Sequence, residues 1–266
     1  MTDQPGDSPS GPPAGLSFAR AVAGVRTPAR IGLGRVGASL PTAGHLAFQL
    51  AHARARDAVH AGLDTQGITR ALAEAGLPSL RLRSMAPDRD TYLRRPDLGR
   101  RLDPALAESL SPGAYDLAAV LADGLSATAV NRHAVPVLRA ILAALGPVRL
   151  APVAVVEGGR VALGDEVGAG LGAACVVVLI GERPGLSAAD SLGAYITWAP
   201  RPGRTDAERN CVSNIRPEGL GIEEAGATIA AVLRAARRHE TTGVALSARA
   251  ALPAGEASAR TGPAEI

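Results

Sequence analysis

The stretch that most limits what this chain can fold into is Cys175-Val176-Val177-Val178-Leu179-Ile180, closed by Gly181-Glu182-Arg183-Pro184-Gly185. An unbroken, largely β-branched apolar run of that length, bounded by Gly and Pro, predicts a strand buried on both faces. Open α/β sheets take their ligands outside the carboxyl ends of such strands, so the Gly181–Gly185 loop is where function is first sought. A second short strand, Ala194 to Trp198, ends at Pro200, and a polar segment then leads to Asn210-Cys211-Val212-Ser213-Asn214-Ile215.

The flanking sequence supplies partners for that strand. Asp116 to Ala122 reads as a strand ending in the turn Asp123-Gly124-Leu125-Ser126, and a helix follows through Val130, Val137, Leu138 and Leu142. Val148 to Val156 reads as the next strand, Asp165 to Leu171 as a short helix, and Cys175 to Ile180 as the third strand. Such alternation predicts a parallel sheet with right-handed crossovers. The last helix, Gly221 to Arg238, buries Ile222, Ile229, Leu233 and Ala236; its first turn holds Glu223 and Glu224 and its last Arg234, Arg237 and Arg238, as the helix dipole favours. Upstream, Thr42 to Gly62 places Phe48, Ala51, Ala55 and Val59 at helical spacing. Asp64-Thr65 caps a second helix with Ile68, Leu72 and Ala75 on one face, and Gly76 with Pro78 ends it. Leu80 to Arg83 alternates as an edge strand does. The expected fold class is α/β: a Rossmann-like parallel-sheet domain over residues 102–252, preceded by a small helical N-terminal domain over residues 30–101. Residues 1–29 and 253–266, rich in Pro, Gly, Ser and Ala, are expected to be a flexible arm and a flexible tail.

Composition removes several kinds of chemistry. The chain has no Lys, so all 28 basic residues are Arg, and neither a Schiff-base lysine nor a P-loop lysine is available. Aromatics at 2% leave no set of stacking platforms, and no nucleic-acid partner is expected. No apolar run approaches the roughly 20 residues that span a bilayer. The N-terminus shows no signal pattern, so no membrane association and a cytoplasmic location are expected. Two Cys are too few for a disulfide framework or a cysteine-rich zinc site. The Arg-rich run Tyr92 to Arg101 reads as a solvated surface or a subunit interface.

Three loops should converge at the carboxyl side of the sheet: Asp123–Ser126, Gly181–Gly185 and Asn210–Arg216. The first leads into a helix whose free N–H groups favour anions or polar groups. Glu182 offers an acceptor, while Gly181 and Gly185 let backbone approach a flat or bulky ligand. A nucleophilic enzyme would need Cys211 paired with a base, yet none of His45, His52, His60, His133 and His239 has the spacing of a triad or a metal site. The residues describe a ligand cradle without a complete catalytic set and without metal ligands.

At these residues the chain resembles the light chain (small subunit) of ethanolamine ammonia-lyase. The resemblance is carried by YLRRPDLGRRL (Tyr92 to Leu102), DGLS (Asp123 to Ser126), GRV (Gly159 to Val161), VVLIGERPGL (Val177 to Leu186) and RNCVSNIRPEG (Arg209 to Gly219), in family order across roughly residues 30 to 240. It implies a subunit of an adenosylcobalamin-dependent enzyme that converts ethanolamine to acetaldehyde and ammonia. The partner would be the large (heavy) chain, in a hetero-oligomer of six of each chain. The family's motifs carry cobalamin contacts onto Val161 (backbone and apolar contact), Glu182 (accepting from amide arms of the corrin) and Cys211 (backbone or weak thiol contact). No catalytic residue of this chain is implied. No D-x-H-x-x-G pattern occurs, so base-on cobalamin is expected. Location within an ethanolamine-utilisation bacterial microcompartment is a further implication, although the N-terminal arm lacks an amphipathic targeting helix.

Two other readings stand beside this one, a free-standing NAD-binding Rossmann enzyme and a non-catalytic interaction module. The first rests on Gly32-Leu33-Gly34-Arg35-Val36-Gly37, which matches G-x-G-x-x-G, with Asp57 20 residues after Gly37. The context is wrong for it: Thr27-Pro28-Ala29-Arg30 is no strand, and Pro41 interrupts the helix that should open on the last Gly. A Gly-rich turn before a helix is preferred. A dinucleotide site there predicts that millimolar NAD raises the melting temperature by mass action; an unshifted transition in a thermal scan is the expected result.

Overall fold

The computed structural model describes residues 29–251. The expected N-terminal arm, apart from Ala29, and the expected C-terminal tail lie outside the described residues. The chain divides into two compact units, Met1–Arg54 and Ala55–Ile266. In the first, residues 29–35 form no strand, and Val36 and Ser39 exchange backbone hydrogen bonds of 2.8 and 3.1 Å across a tight turn. Gly32, Gly34 and Gly37 have φ of 68°, 76° and 61°. That left-handed conformation costs a residue with a Cβ about 1–2 kcal/mol, so the glycines serve the turn. Helix α1 (Thr42–His60) begins directly after Pro41 and runs on into the second unit. This is the Gly-rich turn before a helix, with no strand leading into it.

The second unit is α/β. In chain order it contains α2 (Thr65–Glu74), β1 (Ser79–Arg83), α3 (Arg89–Arg94), β2 (Tyr115–Ala122), α4 (Val135–Leu145), β3 (Val153–Glu157), α5 (Leu163–Gly170), β4 (Ala173–Gly181), β5 (Leu192–Trp198), β6 (Asn210–Ile215), α6 (Ile222–His239) and α7 (Val244–Ala251), with shorter helical turns between. The six strands form one sheet in the order β1-β3-β2-β4-β5-β6. The first four are parallel, whereas β5 runs antiparallel to β4 and β6 antiparallel to β5. The expectation of a parallel sheet therefore holds for four strands and fails at two. Asn210–Ile215, expected as a loop, is an edge strand. The reason is length: Glu182–Ser191 is a ten-residue connection, and a parallel crossover needs a dozen residues or more. At the opposite edge β1 alternates as its sequence suggests, Leu82 buried between exposed Arg81 and Arg83. It pairs with β3, so part of the stretch expected as a separate helical domain belongs to the sheet.

Strand β4 is covered on both faces. Cys175, Val177 and Leu179 meet α2, α4 and α6 through Leu72, Leu138 and Ile229. Val176, Val178 and Ile180 meet α5 through Leu163 and Val167. From Val176 to Leu179 no residue is more than 1% exposed, and a side chain so buried contributes roughly 1.5–3 kcal/mol. From β2 the chain steps to β3 on one side and then returns past β2 to β4 on the other. The carboxyl ends of β2 and β4 are thus the point where strand order reverses, which is where an open sheet leaves a crevice.

A buried ion pair ties β6 to the opposite layer. Arg209, just before β6, grips Asp165 of α5 with two hydrogen bonds of 2.7 Å, and both side chains are 2% exposed. The guanidinium also donates to Thr197 Oγ1 at 3.0 Å and to the Arg204 carbonyl at 2.9 Å. Removing one partner leaves a buried charge unpaired, which costs about 3–5 kcal/mol. Asp165→Ala should lower the denaturation midpoint accordingly, and Asp165→Leu with Arg209→Met should recover most of the loss in the same urea titration.

Candidate functional site

The carboxyl edge gathers the turns after β2, β3 and β4, together with the end of β6, which Leu192 of β5 brings alongside through its pairing with Ile215. The first and third are knit together. Leu125 N–H donates to the Gly181 carbonyl at 2.9 Å. A Cβ on Gly124 (φ +55°) would lie 2.3 Å from the Gly181 oxygen, and one on Gly181 only 2.1 Å from the Ser126 oxygen. Gly181 was expected to leave room for a ligand; the room is taken by the chain's own backbone. Gly185, by contrast, has nothing within 4 Å of where a Cβ would stand. The helix start after Asp123–Ser126, expected to attract anions, is also satisfied internally. Ser126 Oγ accepts from Ala129 N–H at 3.3 Å and donates to the Ala189 carbonyl at 2.8 Å. Only Ala127–Ala129 is α-helical there, and a π-helical segment, Val130–Ala134, intervenes before α4.

A second network holds the turn between β3 and α5. Tyr92 of the YLRR motif is 1% exposed. Its ring lies between two guanidinium groups, Arg160 at 4.5 Å and Arg89 at 4.8 Å from the centroid. Tyr92 OH donates to the Gly159 carbonyl at 3.2 Å, and Gly159 N–H donates to Asp123 Oδ1 at 3.1 Å. Arg89 Nη1 donates to the Gly124 carbonyl at 2.8 Å and to Asp123 Oδ2 at 3.3 Å. Burial pushes Asp123 up to about 6, with Arg89 and the neighbouring backbone N–H groups opposing it. YLRR, DGLS and GRV are therefore three parts of one structure, and Val161 is carried on the turn it fixes. Val161 is half-buried, packs against the same apolar cluster as α5, and accepts from Gly164 N–H at 3.0 Å. A cavity of about 340 Å³ opens beside the network, lined by Leu63, Arg89, Tyr92, Asp123 and Gly158 among others.

Glu182 opens the loop after β4. Its carboxylate accepts through Oε2 from Ser191 Oγ at 2.5 Å and from Asn214 N–H at 3.2 Å. Oε1 lies over β5, where a Cβ on Gly193 would stand 3.0 Å away. The far end of the loop is held by Asp190, which accepts from Arg132 at 3.0 Å and from Arg216 at 3.3 Å, with His133 Nε2 at 3.6 Å. Burial works to raise the Asp190 carboxyl, and Arg132, His133 and Arg216 outweigh it, leaving it below the usual range. Two residues after Gly193, Tyr195 pairs in register with Cys211 of β6, which sets the two side chains next to each other across the strands. Burial pushes Tyr195 up to about 12 and also raises Cys211, so both are protonated at neutral pH. Cys211 is exposed on a strand rather than in the polar loop expected.

Glu182, Gly193, Tyr195 and Cys211 therefore share one face of the sheet, and Val161 stands against the cluster on which Tyr195 also packs. Cys175 is a core residue of β4, with burial pushing its thiol up to about 12. Tyr195, Ser191, Arg89 and Asp165 were not singled out from the sequence. The scarcity of aromatics is the one signal that would have drawn attention to Tyr92 and Tyr195, two of only 3 Tyr. The folded state holds the Asp123 proton to about pH 6, against 3.8 for an unperturbed carboxyl. It binds more protons than the unfolded chain between those values, so stability falls as pH rises through that window. Relative to Asp123→Asn, the unaltered protein should lose roughly 2 kcal/mol between about pH 4 and pH 6 in paired denaturant titrations.

Known proteins share this chain's sequence over most of its length. A family model described as ethanolamine ammonia-lyase light chain matches residues 21–247. The ethanolamine ammonia-lyase small subunit of Azotobacter vinelandii is 57% identical over 229 residues, which cover 83% of this chain and 84% of that one. That of Bradyrhizobium diazoefficiens is 58% identical over 226 residues, 83% of this chain and 87% of the other. That of Ralstonia nicotianae is 53% identical over 242 residues, 88% and 90% of the two chains. The motifs that meet at the carboxyl edge all fall inside these matches, and the chain belongs to the ethanolamine ammonia-lyase light chain family.

Proposed function

We propose that this chain is the small subunit of an adenosylcobalamin-dependent ethanolamine ammonia-lyase, closing over the cobalamin held with the large (heavy) chain. The complex deaminates ethanolamine to acetaldehyde and ammonia and contains six copies of each chain. We read residues 102–252, joined at the sheet edge by β1, as the Rossmann-like cobalamin-binding part, and residues 30–101 as the smaller part that precedes it. The complex is cytoplasmic or enclosed in a microcompartment. Among the described residues no helix is long and apolar enough to cross a membrane.

The observation that carries this reading is the state of Glu182. Its Oε2 is tied to Ser191 and Asn214, which orients the carboxylate, while Oε1 rests over Gly193 where a side chain would displace it. A preoriented acceptor beside an uncrowded strand suits the neutral amide donors that fringe a corrin. Val161 adds a half-buried apolar contact at the same edge. Cys211, its thiol pushed up by burial and so protonated, offers a neutral weak donor or its backbone rather than a nucleophile. Adenosylcobalamin, when bound, supplies the radical chemistry. In this reading the residues of this chain bind and orient the cofactor.

Co-purification with the large chain and an acetaldehyde assay test the reading. Product should form only with both chains and adenosylcobalamin present; activity of this chain alone would overturn it. A hydrogen bond to a charged group is worth about 1.5–3 kcal/mol, so Glu182→Ala should weaken adenosylcobalamin binding by the complex roughly 10- to 100-fold. The readout is the bound corrin's absorbance after gel filtration. Retention equal to that of the unaltered complex would remove Glu182 from the site.

A further inference from the structure

Ten large apolar side chains are exposed among the described residues, and seven of them lie between positions 31 and 50. Scattered exposed leucines carry no message, but a concentration of this kind marks an interaction site. The segment is apolar on more than one side. On α1, Leu46 (57% exposed) and Leu50 (52%) are one turn apart on the same side. Phe48 (41% exposed) is roughly 160° around the helix from Leu46 at about 100° per residue. His45, Gln49 and His52 take the remaining side of the helix, and an exposed apolar arc as wide as that from Leu46 and Leu50 to Phe48 marks a contact surface. Yet Ala51 is the one buried residue among the described residues 29–54. The preceding turn presents Val36 (67%) and Leu40 (51%) from a backbone shaped by its three left-handed glycines.

We propose that residues 31–50 are the surface through which this chain docks into an apolar groove of the large subunit, bordered by acidic groups. The inference rests on reading this chain as the small subunit of a two-chain lyase. Charge argues for a different chain rather than a second copy. Residues 29–56 contain four Arg (Arg30, Arg35, Arg54 and Arg56) and no Asp or Glu. A symmetric contact would set the same patch, and so the same cations, against each other. A groove with an acidic rim would complement them. The extent also suits a stable interface, which takes about 20–30 residues a side. The turn already holds its shape through the Val36–Ser39 hydrogen bonds, so less ordering is required on docking.

The test uses the full chain and the large subunit from the same genome. Hydrogen–deuterium exchange should show amides of residues 31–50 protected at least tenfold when the large subunit is added. The variant Leu46→Gln/Phe48→Gln/Leu50→Gln keeps helix-forming residues and should bind the large subunit at least 100-fold more weakly, with an unchanged urea midpoint for the second unit. Exchange at the free rate in the bound complex would overturn the inference, whether or not the variant folds. Binding by a folded variant within threefold of the unaltered chain would do the same. Protection that grows with the concentration of this chain alone would assign the surface to a second copy, and protection by lipid vesicles without the large subunit would assign it to a membrane; either result overturns the proposal. If the unaltered chain binds no large subunit at all, the small-subunit reading itself fails, a result distinct from binding that leaves residues 31–50 unprotected.

Discussion

The constraint on which the second unit depends is that β4 is apolar on both faces. A strand with Val177 and Leu179 on one side and Val176 and Val178 on the other cannot face water on either. Helices must therefore lie on both sides, which requires the connections after β2 and β3 to leave on opposite faces. That in turn reverses the order of strands between β3 and β4 and leaves the crevice at the carboxyl ends of β2 and β4. The ten residues available after β4 then force β5 back antiparallel. This return places Gly193 and Tyr195 beside Glu182 and presents Cys211 across from Tyr195.

Tyr92, Asp123, Arg160 and Arg209, four of the motif residues, stabilise the edge rather than facing outward from it. Tyr92, Arg89, Arg160 and Asp123 lock the turn that carries Val161. Asp190 and Ser191 fix the two ends of the Glu182 loop. Arg209, the first residue of RNCVSN, is spent on Asp165 in another layer. Buried charges of this sort add little stability compared with well-packed apolar residues, but each tolerates only one arrangement of its neighbours. Fixed geometry is the property such pairs supply to the carboxyl edge.

The division of the chain into two units fits this economy of roles. The second unit has a large core and a rigid edge. Among its described residues the first exposes apolar side chains along α1 and the glycine turn, and Ala51 alone is buried.

Periodicity and punctuation made much of the fold legible in the sequence. The doubly buried β4, the capped α2, the edge strand β1, the glycine turn before α1 and the buried side of α6 all follow from local spacing, because burial writes a period of two or 3.6 into the chain. The placement of Glu182 at a strand end and of Cys175 in the core were readable for the same reason. What only the tertiary structure decided are relations between distant residues. That Asn210–Ile215 is a strand depends on β5 lying beside it, and polar Asn210, Ser213 and Asn214 show no strand periodicity of their own. That Gly181 makes room for Ser126 rather than for a ligand depends on two loops 55 residues apart touching. The Arg209–Asp165 pair, the Tyr92 stack between two arginines and the Tyr195–Cys211 cross-strand pair are long-range pairings of single residues, and no local pattern records them. Sequence by itself determined which faces must be buried, since transfer of apolar surface from water is a property of each residue; the fold alone decided which charges and hydroxyls meet, since that is a property of pairs.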